Sequence, residues 1–368
     1  MLRPKPPFSD VSELVTLKGL PPGAGEKEVI AAVRNVAEGA TDFSWLSRGD
    51  AVLIKTAVNS PRRYPATTSP LSIRAMVGLL KERGAGKVVV TDKPGVKYVY
   101  QDEDGQRGSS RKVMIANGLH HAALESGAEV HYFDEAGYDA YFGDRTENES
   151  HWRGELILPN VLNEVDHIVL LPRVSRHVLA GSTLGLKAAV GWLRDDSRLE
   201  LHRDAESLFE KTAEINDSKT LRQKLRLVLT DATKVQTTFG PDYGFVAEPN
   251  PGLIFGSESL LAHDMAALGW LLWNRDYATP EDRMTWYRDP YLTHPGTINR
   301  LFVWHTWGVR QFLRSETYKT VPISSVRTDP VISRAAVMWG GLPRLELEDV
   351  GAGLDKDIIA YLLGKATV

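Results

Sequence analysis

His177 and Lys187 lie ten positions apart in the stretch SRHVLAGSTLGLKAAVGWL, residues 175–193, which is built mostly of small and apolar residues. The histidine follows an apolar run, HIVLLPRV, and the lysine precedes another apolar segment. An imidazole exchanges a proton near neutral pH. A desolvated lysine either loses its charge and acts as a nucleophile or base, or keeps the charge and holds an anion. The pattern therefore indicates a small-molecule site between a strand and a helix.

We expect residues further along the chain to join His177 and Lys187 in this site. The histidines His202 and His263 fall in the same half of the chain, and Asp264 follows a predicted strand. We take His177, Lys187, His202 and Asp264 as candidate catalytic residues, and His177, His202 and His263 as candidate ligands of a divalent metal. No fixed-spacing motif such as H-E-x-x-H accompanies them, and lone histidines are more often ordinary structural residues.

Polar side chains also follow several predicted strands. In parallel α/β sheets, ligands bind beyond the carboxyl ends of the strands. The lysine and arginine side chains at these strand ends would bind a carboxylate or phosphate, although a single such residue is more often a solvated loop charge. The small residues 180–183 are predicted to form a turn before a helix, where they would offer N–H groups to an anion at the helix N-terminus, unless they form an ordinary capped turn. The candidate substrate-binding residues are Lys55, Asn59, Arg63, Asp92, Arg173, Arg176, Gly181, Ser182 and Thr183.

The elements that must position these residues alternate along the chain. Runs rich in β-branched residues, such as AVLIKTAV and KVVVTD, are separated by stretches with helical periodicity. This alternation predicts an α/β fold with a mostly parallel sheet, helices on both faces, and two lobes around a cleft. We expect an N-terminal extension (residues 1–48), an α/β core (residues 49–272) and an aromatic-rich helical and C-terminal segment (residues 273–368) packed on the core.

The last of these segments contains four tryptophans, Trp273, Trp286, Trp304 and Trp307. They fit a lid over the site, a contact between subunits of a homo-oligomer, or plain core packing.

Composition excludes several functions. The chain has 368 residues, a formal net charge of -3 and no cysteine. The absence of cysteine excludes disulfides, cysteine nucleophiles and iron–sulfur clusters. The mildly acidic balance argues against nucleic acid and anionic membranes as partners. No apolar run approaches the ~20 residues that span a bilayer, and the first residues do not resemble a signal peptide. We therefore expect a cytoplasmic protein.

Three blocks of the sequence resemble the DUF362 family, a family without an assigned reaction. They are VLIKTAVNSPRRYPATTSPLSIRAMVGLLKERGAGKVVVTD, VLNEVDHIVLLPRVSRHVLAGSTLGLKAAVGWL and GLIFGSESLLAHDMAALGWL. The resemblance covers most of residues 50–272. Many relatives carry ferredoxin-type cysteines, which this chain lacks. The positions that match the family pattern are Lys55, Pro70, His177, Thr183, Lys187 and Asp264.

The block HVLAGSTLGLK is also similar to the H-x-x-A-G-x-x-G-x-x-K block of the nickel-pincer lactate racemases, with the second glycine displaced relative to the lysine. That likeness implies that His177 is a proton or hydride partner, that Lys187 carries a pincer cofactor covalently, and that His202 binds nickel.

These observations favour an enzyme that acts on a small anionic organic molecule by proton or hydride transfer at a His/Lys centre, with a divalent metal as a candidate cofactor. A non-catalytic protein that binds a cofactor or metabolite in the same pocket is the first alternative. An interaction module that docks a partner through Trp304 and Trp307 is the second.

Overall fold

The structure is a computed structural model that describes residues 6–276, 294–320 and 322–367. Its strands are β1 (Phe8–Leu20), β2 (Ala51–Thr56), β3 (Lys87–Thr91), β4 (Tyr100–Asp102), β5 (Gly105–Arg107), β6 (Glu129–His131), β7 (Tyr141–Asp144), β8 (Leu156–Pro159), β9 (His167–Leu171), β10 (Ser175–His177), β11 (Gly181–Thr183), β12 (Leu225–Ala232), β13 (Val235–Gln236), β14 (Val246–Ala247), β15 (Gly252–Ser257) and β16 (Leu342–Asp349).

The α-helices are α1 (Glu26–Ala40), α2 (Pro70–Glu82), α3 (Ser110–Asn117), α4 (Leu119–Glu125), α5 (Phe133–Ala136), α6 (Gly185–Ala188), α7 (Asp195–Arg203), α8 (Leu208–Glu214), α9 (Lys219–Lys224), α10 (Leu260–Asp276), α11 (Pro295–Trp307), α12 (Val309–Arg314), α13 (Pro330–Met338) and α14 (Lys356–Thr367). Short 3-10 helices span Asn160–Asn163, Ala189–Trp192, Ala205–Ser207, Ile215–Asp217 and Val326–Thr328.

The largest sheet has eight strands in the order β16-β1-β15-β12-β9-β2-β3-β6. All neighbouring strands in it are parallel except the two pairs that involve β15. Because successive side chains of a strand point to opposite faces, Val52 and Ile54 enter one core and Leu53 enters the other. The helices α1 to α4 pack in the first core, and α6, α8, α10, α13 and α14 pack in the second. The predicted α/β class, with a mostly parallel sheet covered on both faces, is confirmed.

The outer segments of the chain contribute strands to this sheet. Strand β1 comes from residues 1–48 and lies between β16 and β15, so part of the expected N-terminal extension is an interior strand. Its sequence, FSDVSELVTLKGL, is polar in its first half, and only its second half is largely buried. Strand β16 comes from the C-terminal segment and alternates buried and exposed residues. Half-exposed strands of this kind lack the continuous apolar run that identified β2, β3 and β9.

A second sheet, in the order β11-β10-β13-β14, stands beside the site. The sequence predicted that residues 180–183 form a turn before a helix, and the structure differs. Strands β10 and β11 form an antiparallel hairpin in which His177 lies opposite Gly181, so the turn consists of residues 178–180. Gly181 has a φ of 84°, a left-handed conformation that glycine adopts without strain.

Within the described residues, no helix is long and apolar enough to cross a membrane.

Candidate functional site

A cavity of about 360 Å³ opens at the carboxyl ends of β2, β3 and β9. Ligand sites in parallel α/β sheets occur at this edge. Helix α11 contributes Ile298 and Phe302 to the lining and so covers one side. Trp286 lies outside the described residues, and Trp304 is 53% exposed on the outer side of α11. The sequence-predicted residues that line the cavity are Asn59, Asp92, Arg173, His177, Thr183, Lys187 and His202.

Lys187 projects into this cavity from the short helix α6. It makes no hydrogen bond or ion pair with any residue in the described part of the chain, although its side chain is largely buried. Burial, together with the positive charges of Arg173, Arg198 and Lys55, lowers the pKa of its ammonium to about 7. The amine is therefore divided between its neutral and charged forms near neutral pH.

Two charged side chains hold the ends of α6. The carboxylate of Asp264 accepts hydrogen bonds from the backbone N–H groups of Gly185 (2.8 Å) and Leu186 (2.7 Å) at its N-terminus. The ammonium of Lys55 donates to the carbonyl oxygen of Ala188 (2.9 Å) at its C-terminus. An anion at the N-terminus and a cation at the C-terminus both complement the helix dipole. Asp264 and Lys55 therefore position the lysine between them without lining the cavity.

The closeness of this packing requires a glycine after α6. Lys55 forms an ion pair with Asp92 (2.6 Å), and the backbone of Gly191 lies against both side chains. A β-carbon on Gly191 would overlap the Asp92 carboxylate and lie 2.6 Å from the Lys55 ammonium nitrogen. The ion pair and the backbone that carries Lys187 thus fit together only without a side chain at this position.

The imidazole of His177 is held as a hydrogen-bond donor towards the cavity. Its Nδ1 accepts hydrogen bonds from the backbone N–H groups of Leu179 and Ala180, both at 3.1 Å. Burial and the nearby charges of Lys187 and Arg173 keep its pKa well below the usual value. A neutral imidazole whose Nδ1 accepts must carry its proton on Nε2. His177 therefore offers an N–H group to a ligand, and does not act as a base through Nε2.

His202, on α7, has the opposite tautomer. Its Nδ1 lies 2.8 Å from Oδ1 of Asn299, whose amide nitrogen donates to the backbone carbonyl of His202 (2.6 Å). The amide orientation makes Oδ1 an acceptor, so Nδ1 carries the proton and Nε2 is left unprotonated. Burial lowers the pKa of His202 to about 4, and its ring packs against Phe302 and Trp307. The two cavity histidines thus supply one donor and one acceptor.

Buried cations dominate the rest of the lining. Lys93 forms an ion pair with Asp195 (2.8 Å), and burial lowers its pKa to about 8. Arg198 donates to the backbone carbonyls of Pro94 (2.6 Å) and Lys93 (3.3 Å). Arg173 is 1% exposed, and desolvation lowers its pKa to about 10, so it stays charged at neutral pH. The basic pocket expected from the sequence thus consists mainly of residues beyond those named.

A carboxylate joins three loops at the cavity. Asp242 accepts hydrogen bonds from the hydroxyl of Tyr98 (2.8 Å) and from the amide of Asn59. Asp242, Tyr98 and Arg198 are not among the site residues predicted from the sequence. Neither the loop aspartate nor the arginine within a charged helix follows a strand end, so no signal in the sequence distinguished them from surface charges.

Several sequence-predicted residues do not line the cavity, and the reasons differ. Arg63 is exposed, whereas Arg176 is buried away from the cavity. Gly181 and Ser182 belong to strand β11, and the Ser182 hydroxyl donates to Asp329 (3.3 Å). The residues concerned are Lys55, Arg63, Arg176, Gly181, Ser182, His263 and Asp264.

The histidines do not form the expected metal site. His263 is fully buried, with Nε2 2.8 Å from the hydroxyl of Thr230 and Nδ1 2.8 Å from Asp264. It therefore stands apart from His177 and His202. Across residues 6–276, 294–320 and 322–367, no group of three or more histidine, aspartate or glutamate side chains is arranged to hold a metal ion. A metal bound by His177, His202 and His263 together does not fit this arrangement.

Comparison with known proteins identifies the family. Residues 52–269 match the family model described as domain of unknown function, DUF362. The chain belongs to the DUF362 family, as its three sequence blocks predicted. No curated protein matches the chain.

Two solved structures are similar at 12% sequence identity. One is a crystal structure of a Thermotoga maritima protein, a Northeast Structural Genomics Consortium target, with a TM-score of 0.41 over 68% of this chain and 60% of that one. The other is the lactate racemase apoprotein from Thermoanaerobacterium thermosaccharolyticum, with a TM-score of 0.38 over 69% of this chain and 58% of that one. The chain thus spans about three fifths of the length of each.

Proposed function

We propose that this protein is an enzyme that moves a proton on a small anionic organic molecule, with Lys187 as the base. One observation carries the proposal: a lysine amine without a protein partner among the described residues lines a cavity with two neutral histidines of opposite tautomer. A structural lysine would be expected to have a carboxylate or carbonyl partner, because burying an unpaired ammonium is costly. A pKa near the operating pH suits a general base.

The transfer can be written with the residues present. The neutral amine of Lys187 takes a proton from a carbon next to a carboxylate or carbonyl group and becomes an ammonium. The electron pair left on that carbon delocalises onto the oxygen, which accepts a hydrogen bond from Nε2–H of His177. Nε2 of His202 accepts a hydrogen bond from a substrate hydroxyl and so orients the molecule. Return of the proton from Lys187 to a different carbon of the delocalised system regenerates the amine and completes an isomerisation. Return to the same carbon completes a racemisation only after the intermediate has turned its opposite face towards Lys187.

Proton exchange with solvent tests this proposal directly. The protein is incubated in D2O with lactate or malate, and loss of the C2 proton signal is followed by NMR. We expect exchange with the native protein, loss of exchange in Lys187→Ala and His177→Ala, and no change in Lys27→Ala, which alters an exposed lysine. If these acids bind but never exchange, the protein is a binding protein and the assigned chemistry is wrong.

The same amine could instead carry a covalent cofactor. The free amine of Lys187 and the unprotonated Nε2 of His202 fit a group of the kind that the sequence likeness implies, with Lys187 holding it and His202 binding its metal. Such a group would supply a hydride acceptor. Intact-protein mass spectrometry distinguishes the two uses, since an added mass on Lys187 in freshly purified protein contradicts its role as the base.

A further inference from the structure

The cavity has an excess of positive charge that does not depend on Lys187. Its charged side chains either line it or form ion pairs with lining residues. Five are cationic and three are anionic, which leaves two positive charges uncompensated when Lys187 is neutral. The cations are Lys55, Lys93, Lys97, Arg173 and Arg198, and the carboxylates are Asp92, Asp195 and Asp242.

Arg198 accounts for one of the excess charges. Asp195 is the carboxylate of this part of the cavity, and Lys93 occupies it at 2.8 Å. Arg198 lies at 4.0 Å from the same carboxylate and otherwise donates to backbone carbonyls. Lys93 and Arg198 are both almost fully buried, so water screens their charges poorly. Within the described residues, Asp195 is the carboxylate that forms ion pairs with them, and the charge of Asp134 also acts on Lys93.

Arg173 accounts for the other excess positive charge. Its terminal nitrogens donate to the carbonyl oxygens of Pro65 (3.1 Å) and Pro241 (2.8 Å) and to the neutral side chain of Gln236 (3.4 Å). Within the described residues no carboxylate forms an ion pair with it. Asp242 is the carboxylate whose charge acts on Arg173, but it forms no ion pair with the guanidinium, and its two oxygens accept hydrogen bonds from Asn59 and Tyr98.

Lys187 lines the same cavity as Arg173 and Arg198. The positive charges of these two arginines also lower the pKa of its amine. A molecule that contacts both arginines therefore shares the cavity with Lys187.

We propose that the ligand carries two separate anionic groups, one held by Arg173 and the other by Arg198, with its central carbon atoms beside Lys187. A small dicarboxylate has this chemistry. This inference rests on the proposed function for the assignment of the cavity as the substrate site, but its test concerns binding alone. A monoanion would leave one buried arginine uncompensated, and charge-assisted contacts are the stronger hydrogen bonds.

Calorimetric titration of the native protein with three probes tests the inference. Propionate has one charge, succinate has two at opposite ends, and glycerol 3-phosphate has two at one end. We expect succinate to bind at least tenfold more tightly than propionate, and more tightly than glycerol 3-phosphate. Equal binding of succinate and propionate overturns the inference, as does preference for glycerol 3-phosphate or failure of all three to bind.

Variants locate the two contacts. Arg173→Gln and Arg198→Gln should each bring the affinity for succinate close to that for propionate, whereas Arg48→Gln, at an exposed position, should leave the ratio unchanged. If an arginine variant does not fold, the comparison of the three probes on the native protein still tests the inference. The two proposals fail separately. Exchange that depends on Lys187 without a preference for succinate overturns only the dianion, and tight succinate binding without exchange of any acid overturns only the proton transfer.

Discussion

The replacement Lys187→Met should make the protein more stable at neutral pH, although it removes the central residue of the site. Burial lowers the pKa of this amine to about 7, whereas an unfolded lysine titrates at roughly 10.4. Each unit of that difference corresponds to ~1.4 kcal/mol, so the charged form costs the folded state up to about 5 kcal/mol. Methionine has a similar length and no charge, so it fills the same space without this cost.

The pH dependence fixes the sign of the effect. Below pH 7 the folded protein must accommodate the charged amine, so the full cost is present. Between pH 7 and about 10.4 the unfolded chain binds more protons than the folded one, so native stability rises with pH. Above that range Lys187 is neutral in both states and the cost disappears. Lys187→Met should therefore gain about 4–5 kcal/mol at pH 6–7 and progressively less towards pH 10.

Urea denaturation at pH 6, 7, 8 and 9 measures this difference, with Lys27→Met as the control because Lys27 is exposed on α1. The control should change the free energy of unfolding by less than about 0.5 kcal/mol at every pH. A Lys187→Met protein that is less stable than the native one at pH 7, or whose difference does not vary with pH, would refute the low pKa and the argument for a base.

Two further predictions concern the packing around α6. Asp264→Asn removes the charge that holds the N-terminus of α6, so the rate of deuterium exchange into substrate should fall while succinate affinity, measured by calorimetry, stays within about twofold. A fall in affinity as large as the fall in rate would contradict a positioning role. Gly191→Ala places a methyl group against Asp92 and Lys55, and disruption of a buried ion pair should cost about 3 kcal/mol in urea denaturation. Gly364→Ala, whose β-carbon meets no atom within 4 Å, is the control, and equal stability of the two variants would contradict the close packing.

The sequence predicted the core of the fold because its strands are buried on both faces. Continuous β-branched runs identified β2, β3 and β9, and the rule that ligands bind at the carboxyl ends of parallel strands located Asn59, Asp92 and Arg173. The pairing of His177 with Lys187 followed from their positions on either side of the small residues 180–183. These predictions depend on residues that are close together in the sequence, so they can be made from the sequence alone.

Contacts between distant parts of the chain could not be predicted in the same way. Arg198 reaches the cavity because α7 packs beside the loop that contains Pro94, and the two are about a hundred positions apart. Asp264, one of the catalytic candidates, follows a predicted strand, yet its carboxylate faces the backbone of α6. Strand position gives the edge of the sheet on which a residue lies. It does not give the direction of the side chain, which depends on what packs against it.

Different charged groups around the cavity bind the substrate and transfer the proton. A base must be neutral before it acts, and a group that holds an anion must stay charged, so one lysine cannot do both at once. The guanidinium groups of arginines such as Arg173 and Arg198 are charged at neutral pH, and burial lowers the pKa of Arg173 only to about 10. Their fields also repel a proton from Lys187 and so help to keep it neutral. A bound anion would weaken this repulsion. Lys187 therefore stays neutral and acts as a base only if the arginines balance the charges of the substrate, so the number of arginines matters more than the charge of Lys187.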